Sequence, residues 1–125
     1  MKQKKSTEDY LKTIYILHHT DGVRGAEIAE VMNVSRPTVS VALKALEQEG
    51  YVWMNEHRLV FLTELGLNVA SETYEKNCFF RNLLLELGID DATATRDACE
   101  LEHSVSTESF FAIRSALAHR KGGNG

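Results

Sequence analysis

The sequence has few of the features that mark membrane, secreted or disulfide-rich proteins. Its 125 residues include two cysteines, one proline and one tryptophan. No apolar run approaches the ~20 residues of a membrane-spanning helix. The lysine-rich start, Met1–Lys5, leads into a polar segment and not into the apolar stretch of a signal peptide. We therefore expect a cytoplasmic protein with no membrane partner, whose cysteines are thiols and not part of a disulfide framework.

The strong positive charge that often marks nucleic-acid-binding proteins is also missing. The formal net charge is −4. Residues 1–70 carry eight Lys or Arg against nine Asp or Glu, and residues 71–125 carry six against nine. Charge alone therefore does not indicate DNA binding, and the acidity is concentrated in the second half. The apolar content of 43% is enough for one good core or for two small ones that share an interface.

The first half has the pattern of a helix-turn-helix. Ser6 followed by apolar residues at helical spacing predicts a capped first helix, and Ala26–Met32 predicts a short second helix. Ser35 is a natural N-cap for a third helix that has Pro37 in its first turn and ends near Gly50. Two helices joined by a tight turn within such a short stretch are typical of DNA-binding domains.

A predicted β-hairpin follows the third helix. The β-prone runs Tyr51–Met54 and Leu59–Leu62 flank the polar segment Asn55–Arg58. A helix-turn-helix followed directly by such a hairpin predicts a winged-helix DNA-binding domain over residues 1–70. The alternative is a winged helix that serves only protein contacts.

Candidate DNA contacts lie at the start of the third helix and on either side of it. Arginine bonds guanine at two points, Ser and Thr bond base edges or phosphates, and Pro37 suits contact with a thymine methyl group. Arg24 and Arg58 are expected to contact phosphates, although either arginine could simply be solvated. Ser35 could do no more than cap its helix. The predicted set is Arg24, Ser35, Arg36, Pro37, Thr38, Ser40 and Arg58.

The second half predicts a helical unit over residues 71–120 and a disordered tail over 121–125. A long helix from Thr63 through Leu87 is closed by Gly88, a second ends at His103, and Ser106 caps a third. These helices carry more large apolar residues than so small a unit buries easily. The surplus predicts a homodimer, which helix-turn-helix proteins need in order to contact two half-sites. The alternative is a monomer in which these residues pack on the winged helix. The predicted interface residues are Phe79, Phe80, Phe110, Phe111 and Leu117.

The segment Asp97–His103 places a thiol, a carboxylate and an imidazole at metal-ligand spacing. Cys99, Glu102 and His103 occupy positions i, i+3 and i+4, which share one face of a helix. The structural alternative is that Cys99 is a small buried apolar residue, Glu102 is solvated and His103 favours the end of its helix. Spacing alone leaves both interpretations open.

The order of elements and several local motifs resemble the diphtheria toxin repressor family of metal-dependent regulators, which includes iron- and manganese-dependent repressors. The resemblance covers about residues 6–118 and implies a mainly α fold, with an N-terminal winged helix-turn-helix and a helical dimerisation domain. Some branches add an SH3-like third domain, which this chain is too short to contain. The motifs that carry the resemblance are Thr7–Tyr15, Ile28–Glu30, Val34–Ser40, Leu62–Gly66 and Asp97–His103.

The resemblance implies a transcriptional repressor of metal uptake or homeostasis genes that binds double-stranded operator DNA as a homodimer. Its implied metal ligands are Asp9, Cys99, Glu102 and His103. Thiolate, carboxylate and imidazole donors together suit divalent ions of the first transition series, and we expect Fe(II) to be favoured, with Mn(II) next. Asp9 has an alternative role, because Ser6 and Asp9 are spaced like a capping box.

The family's second metal position is in doubt in this chain. In members that have it, its ligands are a histidine and acids at positions that here hold Asn77, Arg81 and Lys12, and Thr95 stands where one branch has a histidine. We therefore expect one ion per subunit, with Lys12 and Arg81 supplying the charge of the missing ion. Cys78 is expected to lie in the core.

Two other functional classes are alternatives to the metal-dependent repressor. One is a metal-independent winged-helix regulator or a thiol redox sensor that uses Cys78 and Cys99. The other is a metal hydrolase, which is disfavoured because no acid or base stands apart from the expected ligands to serve an open metal position. We therefore expect neither enzymatic activity nor a small-molecule substrate.

Overall fold

The computed structural model describes residues 5–18 and 20–123. It confirms the mainly helical class with one small hairpin. By contacts the chain divides into two compact units, Met1–Glu72 (unit 1) and Thr73–Gly125 (unit 2), and the division lies inside the long fourth helix. The elements are α1 Lys5–Leu17, α2 Gly25–Met32, α3 Arg36–Gln48, β1 Val52–Met54, β2 Val60–Leu62, α4 Glu64–Glu86, α5 Asp91–Ser104 and α6 Thr107–Gly123.

Unit 1 is built around apolar side chains that recur at helical spacing. Leu11 and Ile14 of α1 are fully buried, and they share a core with the second and third helices and the hairpin. Burial of each such side chain contributes about 1.5–3 kcal/mol relative to exposure. The remaining buried apolar residues of this core are Tyr10, Val23, Ile28, Ala29, Val39, Leu43, Leu46, Val52, Val60 and Ala70.

The start of α3 has the predicted cap. Ser35 is extended, its Oγ accepts a hydrogen bond from the Thr38 backbone N–H at 3.2 Å, and Pro37 lies in the first turn. The start of α1 differs from the prediction, because Ser6 lies inside α1, which includes Lys5. Ser6 is therefore not an N-cap, and Asp9 lies more than one turn into the described helix.

The wing is a short antiparallel hairpin. Trp53 pairs with Phe61 between β1 and β2, and their rings stack with centroids 4.3 Å apart. Val23, from the segment that joins α1 to α2, exchanges two backbone hydrogen bonds with Val60, at 2.9 and 2.8 Å. Because this bridge adds a third segment beside β2, the base of the wing is held to the helical part of unit 1.

The start of α4 packs closely on the base of the hairpin. Thr63 Oγ1 accepts from the Gly66 backbone N–H at 3.1 Å and donates to the Gly50 and Tyr51 carbonyls. A Cβ atom at position 66 would overlap the Tyr51 carbonyl oxygen. Gly66 therefore permits a backbone approach that no other residue allows without movement.

Unit 2 has a small aromatic core. Phe80, Ala98 and Phe110 are buried, and the Phe79 ring meets the Phe80 and Phe110 rings edge to face at centroid distances of 5.2 and 5.6 Å. Leu101 and Val105 are partly buried against this cluster. Such edge-to-face contacts add about 0.5–1.5 kcal/mol each to the area that they bury.

Hydrogen bonds define the helix ends of unit 2. The Asp90 carboxylate accepts from the Thr93 backbone N–H at 3.1 Å, which lowers the pKa of Asp90 from its ordinary value of 3.8. Ser106 Oγ accepts from the Ser109 backbone N–H at 3.1 Å. Lys76 Nζ of α4 donates to the Val105 carbonyl, just beyond α5, at 2.7 Å.

The predicted interface residues and tail fall in different environments. Phe80 and Phe110 are 6% and 0% exposed within the single chain and belong to its core, whereas Phe111 is 44% exposed. Phe79 and Leu117 are half-buried. Of the predicted tail, residues 121–123 lie in α6, and residues 124 and 125 lie outside the described part of the chain. Among residues 5–18 and 20–123, no helix combines the length and apolar character of a transmembrane span.

Candidate metal centre and nucleic-acid interface

The three expected ligands of unit 2 lie in the last two turns of α5. Cys99 is half-buried, and Glu102 and His103 are only 1% and 8% exposed. The residues at i, i+3 and i+4 share one face of the helix, as the sequence predicts. The alternative in which Glu102 is solvated is therefore wrong for this structure, because the side chain is buried.

Glu102 and His103 form a close pair. The Glu102 Oε2 atom lies 3.1 Å from His103 Nε2, and the two side chains are 0% and 7% exposed. Burying a carboxylate is costly unless hydrogen bonds, an opposite charge or a metal ion compensates for the lost water. A buried carboxylate beside a buried imidazole is therefore consistent with a metal centre.

Cys99 faces the long helix α4. Its sulfur accepts a hydrogen bond from Asn77 Nδ2 at 3.7 Å, and both side chains are half-buried. Cys78, the neighbour of Asn77, is also half-buried, and both cysteines are free thiols. The absence of a disulfide agrees with the expectation from the sequence.

Asp9 belongs to unit 1. It is half-buried on α1, and its backbone carbonyl accepts from Thr13 Oγ1 at 2.8 Å. Because Ser6 is helical, the capping-box alternative for Asp9 does not apply. A role for its carboxylate as a metal ligand therefore stays a prediction.

The donor set fits a divalent transition ion. Within unit 2, a carboxylate, an imidazole and a thiol that loses its proton on binding a metal provide hard, borderline and soft ligands, which is a mixture suited to Fe(II), Mn(II), Co(II) or Zn(II) and unsuited to Mg(II). Asn77 also gives Cys99 the kind of outer hydrogen bond that metal ligands commonly have.

The candidate nucleic-acid interface is a concave surface of unit 1, which we call the wing groove. Its volume is about 430 Å³. The side chains that line it come from the start of α2, from α3 and from the wing. They are Gly25, Ala26, Arg36, Pro37, Val39, Ser40, Leu43, Lys44, Met54 and Arg58.

The wing groove brings together some of the predicted DNA contacts. Arg36, Pro37, Ser40 and Arg58 line it, and all four are exposed. Arg24, Ser35 and Thr38 are exposed but are not part of its lining. Ser35 Oγ bonds both the Thr38 backbone N–H and, at 2.7 Å, the Thr38 hydroxyl, and this pairing agrees with a capping role.

Lys44 lines the wing groove and is not among the DNA contacts predicted from the sequence. It follows Arg36 and Ser40 at intervals of four, so the three side chains share one face of α3. The spacing could have predicted Lys44, because position 44 is the next position after Arg36 and Ser40 on the same face of α3. Met54 is a second such residue, but its role as a wall of the wing groove depends on tertiary packing, and no local signal predicts it.

Arg58 has an unusual backbone for a residue of its size. Its φ of 62° is left-handed, and its backbone N–H bonds the Asn55 carbonyl at 3.0 Å. The Asn55 side chain accepts hydrogen bonds from the His57 and Leu59 backbone N–H groups. The tip of the wing is therefore a tight turn that presents the Arg58 side chain to solvent at a conformational cost.

Comparison with known proteins identifies the family. Residues 3–60 match the iron dependent repressor N-terminal DNA binding domain, and residues 63–122 match the iron dependent repressor metal binding and dimerisation domain. The chain belongs to the iron dependent repressor family. Its relatives in this family are transcriptional regulators, so the resemblance noted from the sequence motifs is confirmed.

Individual family members are similar over most of this chain. An uncharacterised HTH-type transcriptional regulator of Methanocaldococcus jannaschii is 34% identical over 107 residues, which cover 83% of this chain and 86% of that protein. The transcriptional regulator MntR of Escherichia coli O157:H7 is 35% identical, covering 90% of this chain and 73% of MntR. The solved manganese regulator SloR has a TM-score of 0.77 at 33% identity, covering 90% of this chain.

Longer members of the family extend beyond the matched part. This chain spans 53% of the SloR chain and 46% of the diphtheria toxin repressor of Corynebacterium diphtheriae, to which it is 35% identical over 82% of its own length. The family comparison therefore concerns the DNA-binding and the metal-binding and dimerisation domains.

Proposed function

We propose that this chain is a divalent-metal-dependent transcriptional repressor that binds operator DNA as a homodimer. The observation that carries the proposal is the buried pair of Glu102 and His103 on α5, with the free thiol of Cys99 about one turn before it on the same helix. That arrangement occurs in a family whose two domains are described as DNA binding and as metal binding and dimerisation.

The proposed ligands are Asp9 from unit 1 and Cys99, Glu102 and His103 from unit 2. A bound divalent ion supplies positive charge that offsets the carboxylates and the thiolate. Because the ligands belong to both units, their joint use favours one arrangement of the DNA-binding unit over others. An ion acts as a co-repressor to the extent that it binds that arrangement more tightly.

Fe(II) is proposed as the favoured ion, with Mn(II) next and one ion per subunit. Cys99 makes the site a softer ligand set than one with only oxygen and nitrogen donors. Asp9 makes it harder than a site with a thioether at the position of Asp9. Arg81 occupies a position that the family resemblance assigns to a second metal site. Its guanidinium bonds Asp91 and Thr95. A cation already present there disfavours a second metal ion by charge repulsion.

The wing groove is proposed to hold the DNA backbone, with the exposed start of α3 directed at base edges. Arg36 is assigned to a base because it stands at the N-terminal turn of α3, and Arg58 to a phosphate because it stands on the wing. Lys44 adds a further phosphate contact from the groove wall, beside those proposed for Arg24 and Arg58. Arg24, Ser35, Pro37, Thr38 and Ser40 remain proposed contacts.

The proposed dimer interface consists of the exposed apolar residues of α6. Phe111 and Ile113 are 44% and 37% exposed in the single chain, and Leu117 is half-buried. Burial of these side chains against the second subunit favours dimer formation, and this contribution does not depend on the metal ion. The proposed dimer therefore forms with or without metal, and sedimentation of the metal-free protein as a clean monomer at micromolar concentration would contradict it.

The test of metal dependence is binding to the DNA upstream of the chain's own gene and of neighbouring transporter genes. Metal-free protein should bind that DNA weakly, and anaerobic addition of Fe(II) or Mn(II) should restore binding with one ion per subunit. A chelator should abolish binding, whereas an oxidant without a chelator should not. The reverse pattern would indicate the thiol redox sensor, and indifference to both would indicate a constitutive regulator.

The ligand and DNA assignments have separate tests. Cys99→Glu should shift the ratio of Fe(II) to Mn(II) affinity toward Mn(II), and an unchanged ratio would remove Cys99 from the selectivity ligands. Arg36→Ala should lose about 1–3 kcal/mol of discrimination between operator and scrambled DNA. Arg58→Ala should weaken both equally and reduce the salt slope by about one unit.

A further inference from the structure

Polar side chains join α4 to α5 along one line within unit 2. We call this line the polar seam and define it as Asn77 and Arg81 of α4 with Asp91, Thr95 and Cys99 of α5. Arg81 Nη2 donates to Asp91 Oδ1 at 2.6 Å, and Arg81 Nε donates to Thr95 Oγ1 at 3.2 Å. Asn77 Nδ2 donates to Cys99 Sγ at 3.7 Å.

The spacing of the polar seam shows that its contacts form successive rungs. Asn77 and Arg81 are four residues apart on α4, and Asp91, Thr95 and Cys99 follow one another at intervals of four on α5. Residues four apart lie on the same face of a helix, one turn above another. The next step of four on α5 reaches His103, so the seam runs directly into the proposed metal ligands.

We propose that Asn77 is a positioning residue for Cys99, and that its carboxamide sets how strongly the site prefers sulfur-binding ions over Mn(II). The inference rests on the proposed metal-binding function and concerns the selectivity of that site. Asn77 itself is not assigned as a ligand. Its position on α4 leaves it outside the run of donors on α5 and in contact with one of them.

The physical reason lies in the freedom of the cysteine side chain. A cysteine sulfur has three staggered positions about χ1, and a hydrogen bond from a fixed donor favours the one that it reaches. The same N–H withdraws electron density from the sulfur, which shifts the energy of charge transfer to a bound ion, while the fixed orientation of the side chain supplies the gain in affinity. Outer partners of metal ligands commonly contribute about 10- to 100-fold to metal affinity in this way.

Arg81 provides the matched control. It bonds Asp91 and Thr95 on the same seam, about two turns and one turn before Cys99 respectively, and the structure gives it no bond to the sulfur among the described residues. A substitution there loosens the attachment of α5 without removing the hydrogen bond to Cys99. Any effect that arises only from packing of the two helices should therefore appear in both variants.

The experiment is anaerobic titration of the full chain with Co(II) and with Mn(II), all in a Cys78→Ser background so that Cys99 is the only thiol. Asn77→Leu removes the donor and keeps the branching at Cγ in a larger side chain, and Asn77→Ala is the second variant if the leucine disturbs folding. Arg81→Gln is the control. The measurements are the sulfur-to-cobalt charge-transfer band, the affinity for each ion and the thermal melting curve of the metal-free protein.

Asn77→Leu should shift the charge-transfer band and weaken Co(II) binding by about 10-fold or more, with a smaller effect on Mn(II). Arg81→Gln should leave the band in place, and because it also removes a positive charge, it is compared with Asn77→Leu by the band energy and by the ratio of Co(II) to Mn(II) affinity. Combined with Cys99→Ser, the Asn77 substitution should cause no further loss of Co(II) affinity, because the atom that it positions is gone.

Two outcomes separate the inference from the function on which it rests. An unshifted band with an unchanged ratio of Co(II) to Mn(II) affinity in Asn77→Leu overturns the role of Asn77 and leaves the metal site standing. A parent protein with no charge-transfer band that depends on Cys99 overturns the proposed metal site, and the role of Asn77 with it.

Discussion

Replacement of Phe110 by alanine tests the boundary between core and interface in unit 2. Phe110 is fully buried within one chain, and its ring lies 5.6 Å from Phe79 and 6.2 Å from Phe80 between centroids. The Arg114 guanidinium lies 4.8 Å from the centre of the same ring. Phe111, the next residue on α6, is 44% exposed and provides a matched control of the same type.

The expected magnitudes differ because the two rings differ in burial. Removal of a fully buried phenylalanine ring costs about 3–5 kcal/mol, which includes the cavity that remains. The Phe79, Phe80 and Phe111 rings pack around Phe110, and their partial movement into the cavity would bring the cost toward the lower end of that range. Phe111 is a little more than half buried, so its removal should cost about half of the 1.5–3 kcal/mol of full burial, or about 0.8–1.5 kcal/mol.

The assay combines urea unfolding with sedimentation over a range of protein concentration. Phe110→Ala should shift the unfolding midpoint strongly and leave the dimer dissociation constant of the folded protein nearly unchanged. Phe111→Ala should shift the midpoint less and weaken the dimer more. Unfolding must be compared at equal concentration, because the stability of a dimer depends on the concentration of its subunits.

The opposite ranking would refute this reasoning. If Phe110→Ala weakens the dimer while costing ~1 kcal/mol or less in unfolding, the ring is an interface residue and does not behave as a core residue. If neither substitution changes the dimer, the interface does not involve this part of α6.

Three further predictions concern single positions. Gly66→Ala should destabilise the protein although alanine favours helices by about 1 kcal/mol, because its Cβ would overlap the Tyr51 carbonyl; an increase in melting temperature would contradict the packing at α4. Arg58→Gly should raise the free energy of unfolding by about 1 kcal/mol, because glycine adopts the left-handed backbone of position 58 without strain. The same variant should weaken DNA binding as Arg58→Ala does. Equal stability of the glycine and alanine variants in urea unfolding would contradict the strain at this position. Asp90→Asn should make stability fall less steeply in acid. The pKa of Asp90 is lowered in the folded protein, so its carboxylate contributes stability that is present above pH 3.8 and is lost as pH falls through the pKa of the folded state. Melting curves from pH 5 to pH 2 that match those of the parent protein would contradict this prediction.

Local sequence signals predicted the elements of the fold well because each depends on neighbouring residues. Ser35 caps α3, Gly88 adopts the positive φ expected after α4, and Ser106 bonds the first turn of α6. The failure at Ser6 has the same physical origin, since a serine is a cap only where the residues before it are not helical. The identity of Ser6 does not show whether the preceding residue, Lys5, is helical.

The donor set on α5 could be predicted from spacing, because helix geometry alone brings Cys99, Glu102 and His103 to one face. Whether Glu102 was solvated or buried could not be predicted, since burial depends on which elements cover that face. The contact of Asn77 with the Cys99 sulfur joins residues 22 positions apart and was equally inaccessible.

By itself the sequence determined the helices and the hairpin, the spacing of the donors on α5 and the motifs that place the chain in its family, because all of these are properties of residues close together in the chain. Only the tertiary structure decided which apolar side chains are core. Phe110 and Phe111 are adjacent and chemically identical, yet one is fully buried and the other is 44% exposed. Successive residues of a helix point about 100° apart, so their burial depends on what packs against each face, and that is a property of the whole fold.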